Sequence, residues 1–433
     1  MCSNEALVAR MSGLCCYFTS TSRAAFVLFV ILGGTTGCGD AGRGSDTDRT
    51  DRTALSRGYT IEDSSGVRIT EVQLEYEELP EWQLSDGPLL VIDGAGREGG
   101  PFLERITSAA WSSDGGIVVL DRQADQLHLF ARDGSPARSF GRSGDGPGEF
   151  GNIATVTVAP DDSVFVFDRG HDRVTVFHPS VGYVRDLDLR NSEAGLLPTD
   201  VWSLGQNRLL LSTHREDLGW TENYDGQPFV AESEIELTVH DETGMVRAGP
   251  LVLPGERFAQ FSWGSGGLPL APEAHVAAGG GLMVYGTGGE TITLMDGDLR
   301  AIGLLRWPNL RQRITEADRD EVRTRIVALF GEVMPERVDE IIEVSLSEEA
   351  ASSLRPGHGR LVLGSDSSVW VSRFEPYDEP RSWHVFDDQG RPAGRLLVPP
   401  RARLLAAKED RVLFTIPDSL DVPSVYVFGV ERR

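Results

Sequence analysis

The main part of this sequence contains no cysteine. All four cysteines, Cys2, Cys15, Cys16 and Cys38, lie within the first 38 of the 433 residues. The rest of the chain must therefore fold without a disulfide framework and without a thiolate-bound metal. A hydrophobic content of 40% is sufficient for a packed core. The length allows one large domain or two to three ordinary ones.

Lysine is almost absent as well. Lys408 is the only lysine, the other basic side chains are arginines, and the net charge is −25. A surface this acidic repels phosphate backbones, so we expect no nucleic-acid partner.

The apolar run near the amino end is too short to span a bilayer. It covers residues 24–34 and follows Arg23, whereas a membrane-spanning helix needs about 20 apolar residues. Its length and flanks are typical of the apolar region of a secretory signal. We expect residues 1–37 to form a signal peptide, which begins at Met1 or at Met11.

The signal is followed directly by Cys38. "TTGC" resembles the lipobox of bacterial lipoproteins, although Thr35 stands where the family pattern has an aliphatic residue. This resemblance implies lipidation of Cys38 and anchoring in the cell envelope, on the outer membrane or the periplasmic face, since Gly39 carries no inner-membrane retention signal. The alternative is an ordinary cleaved signal peptide. Residues 38–58 are almost free of apolar side chains and read as a flexible tether.

Common catalytic motifs are missing. Nothing in the chain matches H-E-x-x-H, G-x-S-x-G or a Walker loop. His178, His214 and His240 are isolated in the sequence and are more typical of surface or hydrogen-bonded residues than of ligands. We therefore predict no cofactor and no metal site.

What the chain does contain is a repeat with an offset of 47 residues. "IVVLDRQADQLHLF" at 117–130 aligns without a gap on "VFVFDRGHDRVTVF" at 164–177. Each copy reads as four short strands separated by turns rich in Asp, Ser and Gly. Four antiparallel strands per unit of this length predict a β-propeller blade.

Four looser units follow, and the last of them is one strand short. They cover residues 201–253, 275–307, 360–398 and 403–430. "PLLVIDG" at 88–94 precedes the first unit and aligns on the outermost strand of the repeat. We predict an all-β, six-bladed propeller over residues 59–433, in which this amino-terminal strand completes the last blade.

The glycine-rich stretch "RSFGRSGDGPGEF" at 138–150 raises the possibility of a nucleotide-binding loop. Such a loop needs a strand before it and a helix after it, and here the strand "IATVTV" follows. We interpret the glycines as a corner between two blades, which needs positive φ values.

"GDGPGEF", the strand after it and "DRGHDRVTVF" together resemble the NHL-repeat pattern of six-bladed propellers. With "DSSGVRITEV" at 63–72 they resemble bacterial six-bladed propeller lipoproteins. The resemblance is strong over residues 60–190 and weaker to residue 430. It implies an architecture more than an activity.

Three insertions interrupt the blades, at residues 215–232, 254–272 and 309–353. Because the turns of a blade alternate between the two faces of the disc, all three are expected on the face that carries the glycine-rich corner. The third insertion predicts two helices. Thr315 caps the first, Val322, Ile326, Leu329 and Phe330 form its apolar stripe, Pro335 ends it, and Val338, Ile341 and Ile342 face inward from the second.

The candidate ligand-binding residues end the second strands of two blades or begin the first strands of two others. They are Asp121, Arg122, Asp168, Arg169, His171, Asp200 and His275. The competing interpretation is structural, with Asp168 holding Arg173 across its hairpin and Asp121 in the equivalent place. The repetition favours this interpretation, because a catalytic site is rarely built twice.

These features favour a monomeric binding or scaffold module in the cell envelope. Its ligand would be an unknown protein, glycan or small molecule. The alternative is a lactonase- or lyase-like hydrolase with its site at the central tunnel. Metal-dependent lactonases share the six-bladed ring, but Asp200 and His275 have no third ligand that the sequence places beside them. A quinone-dependent dehydrogenase is disfavoured, since the tryptophan docking repeats of such propellers are missing.

Overall fold

The computed structural model describes residues 58–96, 99–189, 198–216, 226–308, 311–351, 353–375, 381–408 and 410–432. The expected signal peptide, Cys38 and nearly all of the tether lie outside these residues. Within them, mostly antiparallel strands form six blades around a common axis.

Four strands precede the first complete sheet: β1 (Tyr59–Ser64), β2 (Val67–Val72), β3 (Glu81–Leu84) and β4 (Leu90–Ile92). Blade 1 consists of β5 (Ile106–Trp111), β6 (Ile117–Asp121), β7 (Gln126–Phe130) and β8 (Pro136–Phe140). Blade 2 consists of β9 (Ile153–Val158), β10 (Val164–Asp168), β11 (Arg173–His178) and β12 (Gly182–Asp188). Blade 3 consists of β13 (Asp200–Gly205), β14 (Arg208–Glu216), β15 (Phe229–Asp241), β16 (Val246–Phe261) and β17 (Gly264–Gly267).

Blade 4 consists of β18 (His275–Gly279), β19 (Leu282–Gly286), β20 (Thr291–Asp296) and β21 (Ala301–Arg306). Blade 5 consists of β22 (Leu361–Leu363), β23 (Val369–Ser372), β24 (Ser382–Phe386) and β25 (Pro392–Leu397). Blade 6 consists of β26 (Arg403–Lys408), β27 (Arg411–Pro417) and β28 (Pro423–Glu431). Two helices, α1 (Glu316–Phe330) and α2 (Val338–Ser345), lie between blades 4 and 5.

The first strand of each blade is the innermost one. These six strands contact one another in the cyclic order β5, β9, β13, β18, β22, β26 and back to β5. The second strands of blades 1 and 2, "IVVLD" and "VFVFD", are buried along their whole length because both of their faces pack against neighbouring blades. The apolar core is accordingly a set of clusters, most of which lie between adjacent blades.

The ring is closed by β4. This strand pairs antiparallel with β28 and completes blade 6, with Ile92 opposite Val425 and Leu90 opposite Val427. Ile92 then packs in the cluster between blades 6 and 1. The predicted closure by the amino-terminal strand is confirmed.

The sequence did not indicate what the strands before β4 do. The β1–β2 hairpin adds to the outer edge of blade 4, where β2 runs parallel to β21. Strand β3 runs parallel to β25 of blade 5 and also pairs with the end of β28, so blades 5 and 6 share one continuous hydrogen-bonded sheet. These additions cover outer sheet edges that would otherwise expose unpaired backbone groups.

The glycine-rich stretch is a connection between blades, as predicted. It joins β8 to β9, and Gly141, Gly144 and Gly148 have φ values of +84°, +149° and +74°. A Cβ on Gly141 would stand 2.3 Å from the ring of Phe150, which is fully buried. Only glycine combines this backbone conformation with so close an approach.

The connections between blades and the turns between second and third strands share one face of the disc, here called the connection face. The described parts of the three insertions lie on this face, because the first lies where β14 ends and β15 begins, the second spans the end of β16 and β17 before β18, and the third lies between β21 and β22. Their apolar side chains form a single cluster that joins the β16–β17 hairpin to both helices. In the described part of the chain the second and third insertions, with Val230 of the first, therefore form one packed platform.

Two details of the helical insertion differ from prediction. Helix α1 ends at Phe330, ahead of Gly331, and Pro335 instead opens the short 3-10 turn Pro335–Arg337. Leu329 does not belong to the buried stripe and is 59% exposed, because the platform contacts only the side of α1 that carries Val322 and Ile326. The predicted cap is present, with Thr315 accepting a hydrogen bond from the Asp318 N–H.

Candidate functional site

The candidate residues surround the propeller axis on the connection face. Each innermost strand starts at this face and each second strand ends there. A side chain at either position therefore lies at the rim of the axial opening, which we call the axial mouth. We define it by the residues that begin β5, β9, β13, β18, β22 and β26 and by those that end or follow β6, β10 and β14.

Two of the predicted residues, Asp121 and Asp168, are fully buried and serve the fold. Asp168 accepts hydrogen bonds from the backbone N–H groups of Gly151 and Asn152 at 2.9–3.2 Å and from Gly170 at 3.1 Å. Asp121 accepts equivalent hydrogen bonds at 2.8–3.2 Å. Each of its donors lies 47 positions before the corresponding donor to Asp168. Each carboxylate thus binds the chain that enters its own blade.

This finding revises the structural alternative. The Asp168–Arg173 contact exists but is long, at 3.9 Å, so the hairpin pairing is secondary to the backbone amides. Arg173 pairs with Asp186 at 3.1 Å and also holds the glycine-rich connection, donating to the carbonyl oxygens of Gly146 and Glu149 at 3.2 and 2.5 Å. The aspartate at this repeated position joins the end of the second strand to the connection that enters the same blade.

His171 holds the same connection. Its Nδ1 lies 2.6 Å from Asp168 Oδ2 and its Nε2 lies 2.8 Å from Asp145 Oδ1. The hydrogen bonds to Asp145 and to Asp168 raise the pKa of the imidazole above its usual value. His171 therefore ties a surface carboxylate to the buried one, which is a structural role.

Arg122 and Arg169 remain at the axial mouth. The Arg122 Nε donates to Asn152 Oδ1 at 3.1 Å, and the Arg169 Nη2 donates to the Thr199 carbonyl at 2.8 Å. In both cases the acceptor belongs to the next blade and is uncharged. The two guanidinium groups thus bridge blades 1 to 2 and 2 to 3 while keeping their positive charge at the mouth.

Asp200 and His214 belong to blade 3 at the same mouth. Burial raises the pKa of the Asp200 carboxyl to about 6, and nearby Arg169 only partly offsets this effect. Burial also lowers the pKa of His214, with Arg169 acting in the same direction. His214 is therefore not the isolated residue that the sequence indicated, because the fold brings it beside an arginine of the preceding blade.

The raised pKa of Asp200 predicts that the stability of the fold depends on pH. The folded state favours the protonated form of Asp200. The stability that this preference contributes is therefore fully present below about pH 4 and is lost as the pH rises through about 6. We expect Asp200→Asn to raise the free energy of unfolding at pH 7.5 by up to about 3 kcal/mol and to change it little at pH 4. Chemical denaturation at the two pH values measures this. Asp86→Asn, at an exposed site, is the control, and equal effects of Asp200→Asn at both pH values would contradict the assignment.

A second group of titratable side chains lies across the axis, in blades 4 and 5. His275 begins β18, with its Nε2 3.7 Å from Glu273 Oε2 and its ring centroid 6.3 Å from that of His358. Burial, with His358 and Arg360 nearby, lowers the pKa of His275 to about 3. Both histidines are therefore uncharged at neutral pH, since burial also lowers the pKa of His358 to about 4.

The sequence did not single out two residues of the mouth, Arg105 and His358. Arg105 precedes β5 at the position that Asn152 holds before β9, so the 47-residue repeat was a usable signal. His358 lies before β22, and nothing in its local sequence distinguishes it. Of the three histidines that are isolated in the sequence, two behave as expected. His240 is buried and bonded to Gly244 O and Thr238 Oγ1, and His178 contacts Ser180 Oγ.

The opposite face carries a separate cavity. It has a volume of about 200 Å³ and lies at the seam of blades 6 and 1. Trp111, Arg132, Lys408 and Arg411 are among its lining residues. This cavity is remote from the insertions and contains none of the predicted site residues.

Within the described ranges, no group of three or more His, Cys, Asp or Glu side chains is placed to hold a metal ion. Neither helix in that part of the chain is long and apolar enough to cross a membrane.

The family comparison agrees with the architecture. Residues 103–219 match the model of the DUF5128 family, which is described as a 6-bladed beta-propeller. A search of curated proteins found no match.

Solved structures resemble the chain at low sequence identity. A Bacteroides fragilis protein proposed to be exported is 10% identical, with 84% of this chain and 99% of that chain covered and a TM-score of 0.46. A Bacteroides vulgatus member of the duf4221 family is 10% identical, with 82% and 96% covered and a TM-score of 0.44. Virginiamycin B lyase from Staphylococcus aureus is 8% identical, with 75% and 94% covered and a TM-score of 0.38. The sheet topology and the family match together identify this chain as a six-bladed β-propeller.

Proposed function

We propose that this protein is a binding module of the cell envelope and that it holds its ligand at the axial mouth. In this proposal the signal sequence exports the chain and a lipid on Cys38 keeps it at the membrane. The lipobox-like "TTGC" and the polar tether after it support the anchoring.

The observation that carries the binding function is the platform. Residues of the second and third insertions, with Val230 of the first, pack into one apolar cluster on the connection face, which is also the face of the axial mouth. Rigid blades with long loops on one face are a common arrangement for ligand binding. The buried Asp121 and Asp168 strengthen the rim without taking part in binding.

A hydrolase remains the second candidate because of the groups across the axis. An uncharged His275 close to Glu273, together with an Asp200 whose pKa is about 6, is a combination typical of acid–base sites. The glutamate–histidine separation of 3.7 Å is longer than a hydrogen bond. This spacing favours binding over proton transfer in the present arrangement.

An assay of turnover separates the two functions. We expect the purified protein to hydrolyse a panel of lactones and esters no faster than a His275→Gln variant does. The metal content of the same sample is measured alongside. Turnover that falls by about a hundredfold or more in His275→Gln, while the melting temperature is kept, would establish the hydrolase instead. His178→Gln, on a surface turn, is the matched control.

The anchoring is tested by labelling with a palmitate analogue in a bacterial host. We expect label on the wild-type chain and none on Cys38→Ala, while Cys16→Ala retains it. Equal labelling of the wild type and Cys38→Ala would contradict the proposed lipidation.

A further inference from the structure

The axial mouth concentrates positive charge in a protein whose net charge is −25. Arg105 precedes the first strand of blade 1, Arg122 follows its second strand, and Arg169 follows the second strand of blade 2. Arg122 and Arg169 occupy the same position of the 47-residue repeat. The fold therefore places three guanidinium groups side by side on two adjacent blades.

These charges are not neutralised by the carboxylates that precede them in sequence. Asp121 and Asp168 are buried and direct their oxygens to backbone N–H groups. Among the described residues, neither Arg122 nor Arg169 forms an ion pair, and their hydrogen bonds go to an amide oxygen and a carbonyl oxygen. The repeat thus uses its carboxylates for the fold and leaves its arginines charged at the mouth.

The arginines also crowd one another. Burial lowers the pKa of the Arg122 guanidinium, the positive charges of Arg105 and Arg169 lower it further, and the nearby Asp125 offsets only part of this effect. The Nε of Arg169 is buried with no hydrogen-bond partner in the described part of the chain. Like charges held together cost free energy, which an anion between them offsets.

We propose that Arg105, Arg122 and Arg169 form a binding site for an anionic ligand, whose carboxylate or phosphate oxygens accept hydrogen bonds from the three guanidinium groups. Planar guanidinium forks recognise both kinds of oxyanion with two parallel hydrogen bonds. The proposal rests on the proposed binding function, to which it adds a ligand class. The surrounding acidic surface disfavours a large polyanion, so the ligand is a small acid or the acidic end of a short glycan.

The test is a titration of the purified full-length protein by calorimetry with citrate, inorganic phosphate and tetragalacturonate, and with maltotetraose as the neutral probe. We expect saturable binding of an anionic probe that weakens at least about tenfold in Arg122→Ala and in about 0.5 M salt. Citrate or phosphate binding indicates a free acid, and binding of tetragalacturonate alone indicates a glycan.

Arg105→Gln keeps the test valid if Arg122→Ala unfolds, because the Arg105 side chain is exposed. It is expected to weaken binding with an unchanged melting temperature. Arg132→Ala, on the opposite face, is the control. Equal affinity in Arg105→Gln and the wild type, or no saturable binding of any anionic probe, would overturn the arginine site. Binding of maltotetraose alone would also overturn it but leave the binding function standing, whereas ester turnover without binding would overturn the binding function itself.

Discussion

Asp168→Ala is expected to lower the free energy of unfolding by about 4 kcal/mol, because several buried donors lose their acceptor at once. The carboxylate accepts hydrogen bonds from the N–H groups of Gly151, Asn152 and Gly170, and it contacts His171. Water cannot replace these bonds without entering a fully buried position. Urea denaturation followed by fluorescence measures the change.

The matched control for this prediction is Asp161→Ala, in the same blade. Asp161 is exposed and accepts only local hydrogen bonds from Ser163, on the opposite face. Its loss is expected to cost less than about 1 kcal/mol. A comparable cost for Asp161→Ala and Asp168→Ala would show that the buried carboxylate is not a structural lock.

The second large effect is expected at the closure of the ring. Deletion of residues 86–95 removes the outermost strand of blade 6 and exposes the edge of β28, so we expect broad, non-cooperative thermal unfolding in place of one sharp transition. In a closed ring each blade is supported on both sides, and removing one strand opens the seam between blades 6 and 1. Calorimetry shows the change directly.

A point substitution tests the same seam with less disturbance. Ile92 is 4% exposed and packs in the seam, whereas its neighbour Val91 is 44% exposed on the same strand. Ile92→Ala is expected to lower the free energy of unfolding by about 3 kcal/mol, and Val91→Ala should change it little. An unchanged melting curve after the deletion would mean that β4 does not close the ring.

The predictions of the blades, of the closing strand and of the helix cap hold because they depend on local patterns. Alternating apolar residues and turn residues recur in the same register at 117–130 and 164–177, and such a register is independent of what the blades pack against. The closing strand follows from the same register, and the count of six adds the four looser units that come after it. The helix cap at Thr315 is likewise a local feature.

The features that the sequence did not show, or showed only in part, are those that packing decides. Leu329 fits a helical stripe in sequence, but the platform covers a narrower side of α1. Asp168 and Arg173 face each other across a hairpin, yet the backbone N–H groups of the incoming connection are the nearer partners. The edges of blades 4 and 5 were available to the β1–β2 hairpin and to β3, and no repeat pattern marks these parallel additions.

The architecture of this protein is encoded locally, because each blade is an antiparallel unit whose strands and turns come from consecutive residues. Which repeated residues serve the fold and which lie at the axial mouth depends instead on how the blades pack in three dimensions. Asp168 and Arg169 are adjacent in sequence, but one side chain lies in the interior and the other at the rim. Arg105, Arg122 and Arg169 are grouped because, in two adjacent blades, first strands start and second strands end at the same face of the disc.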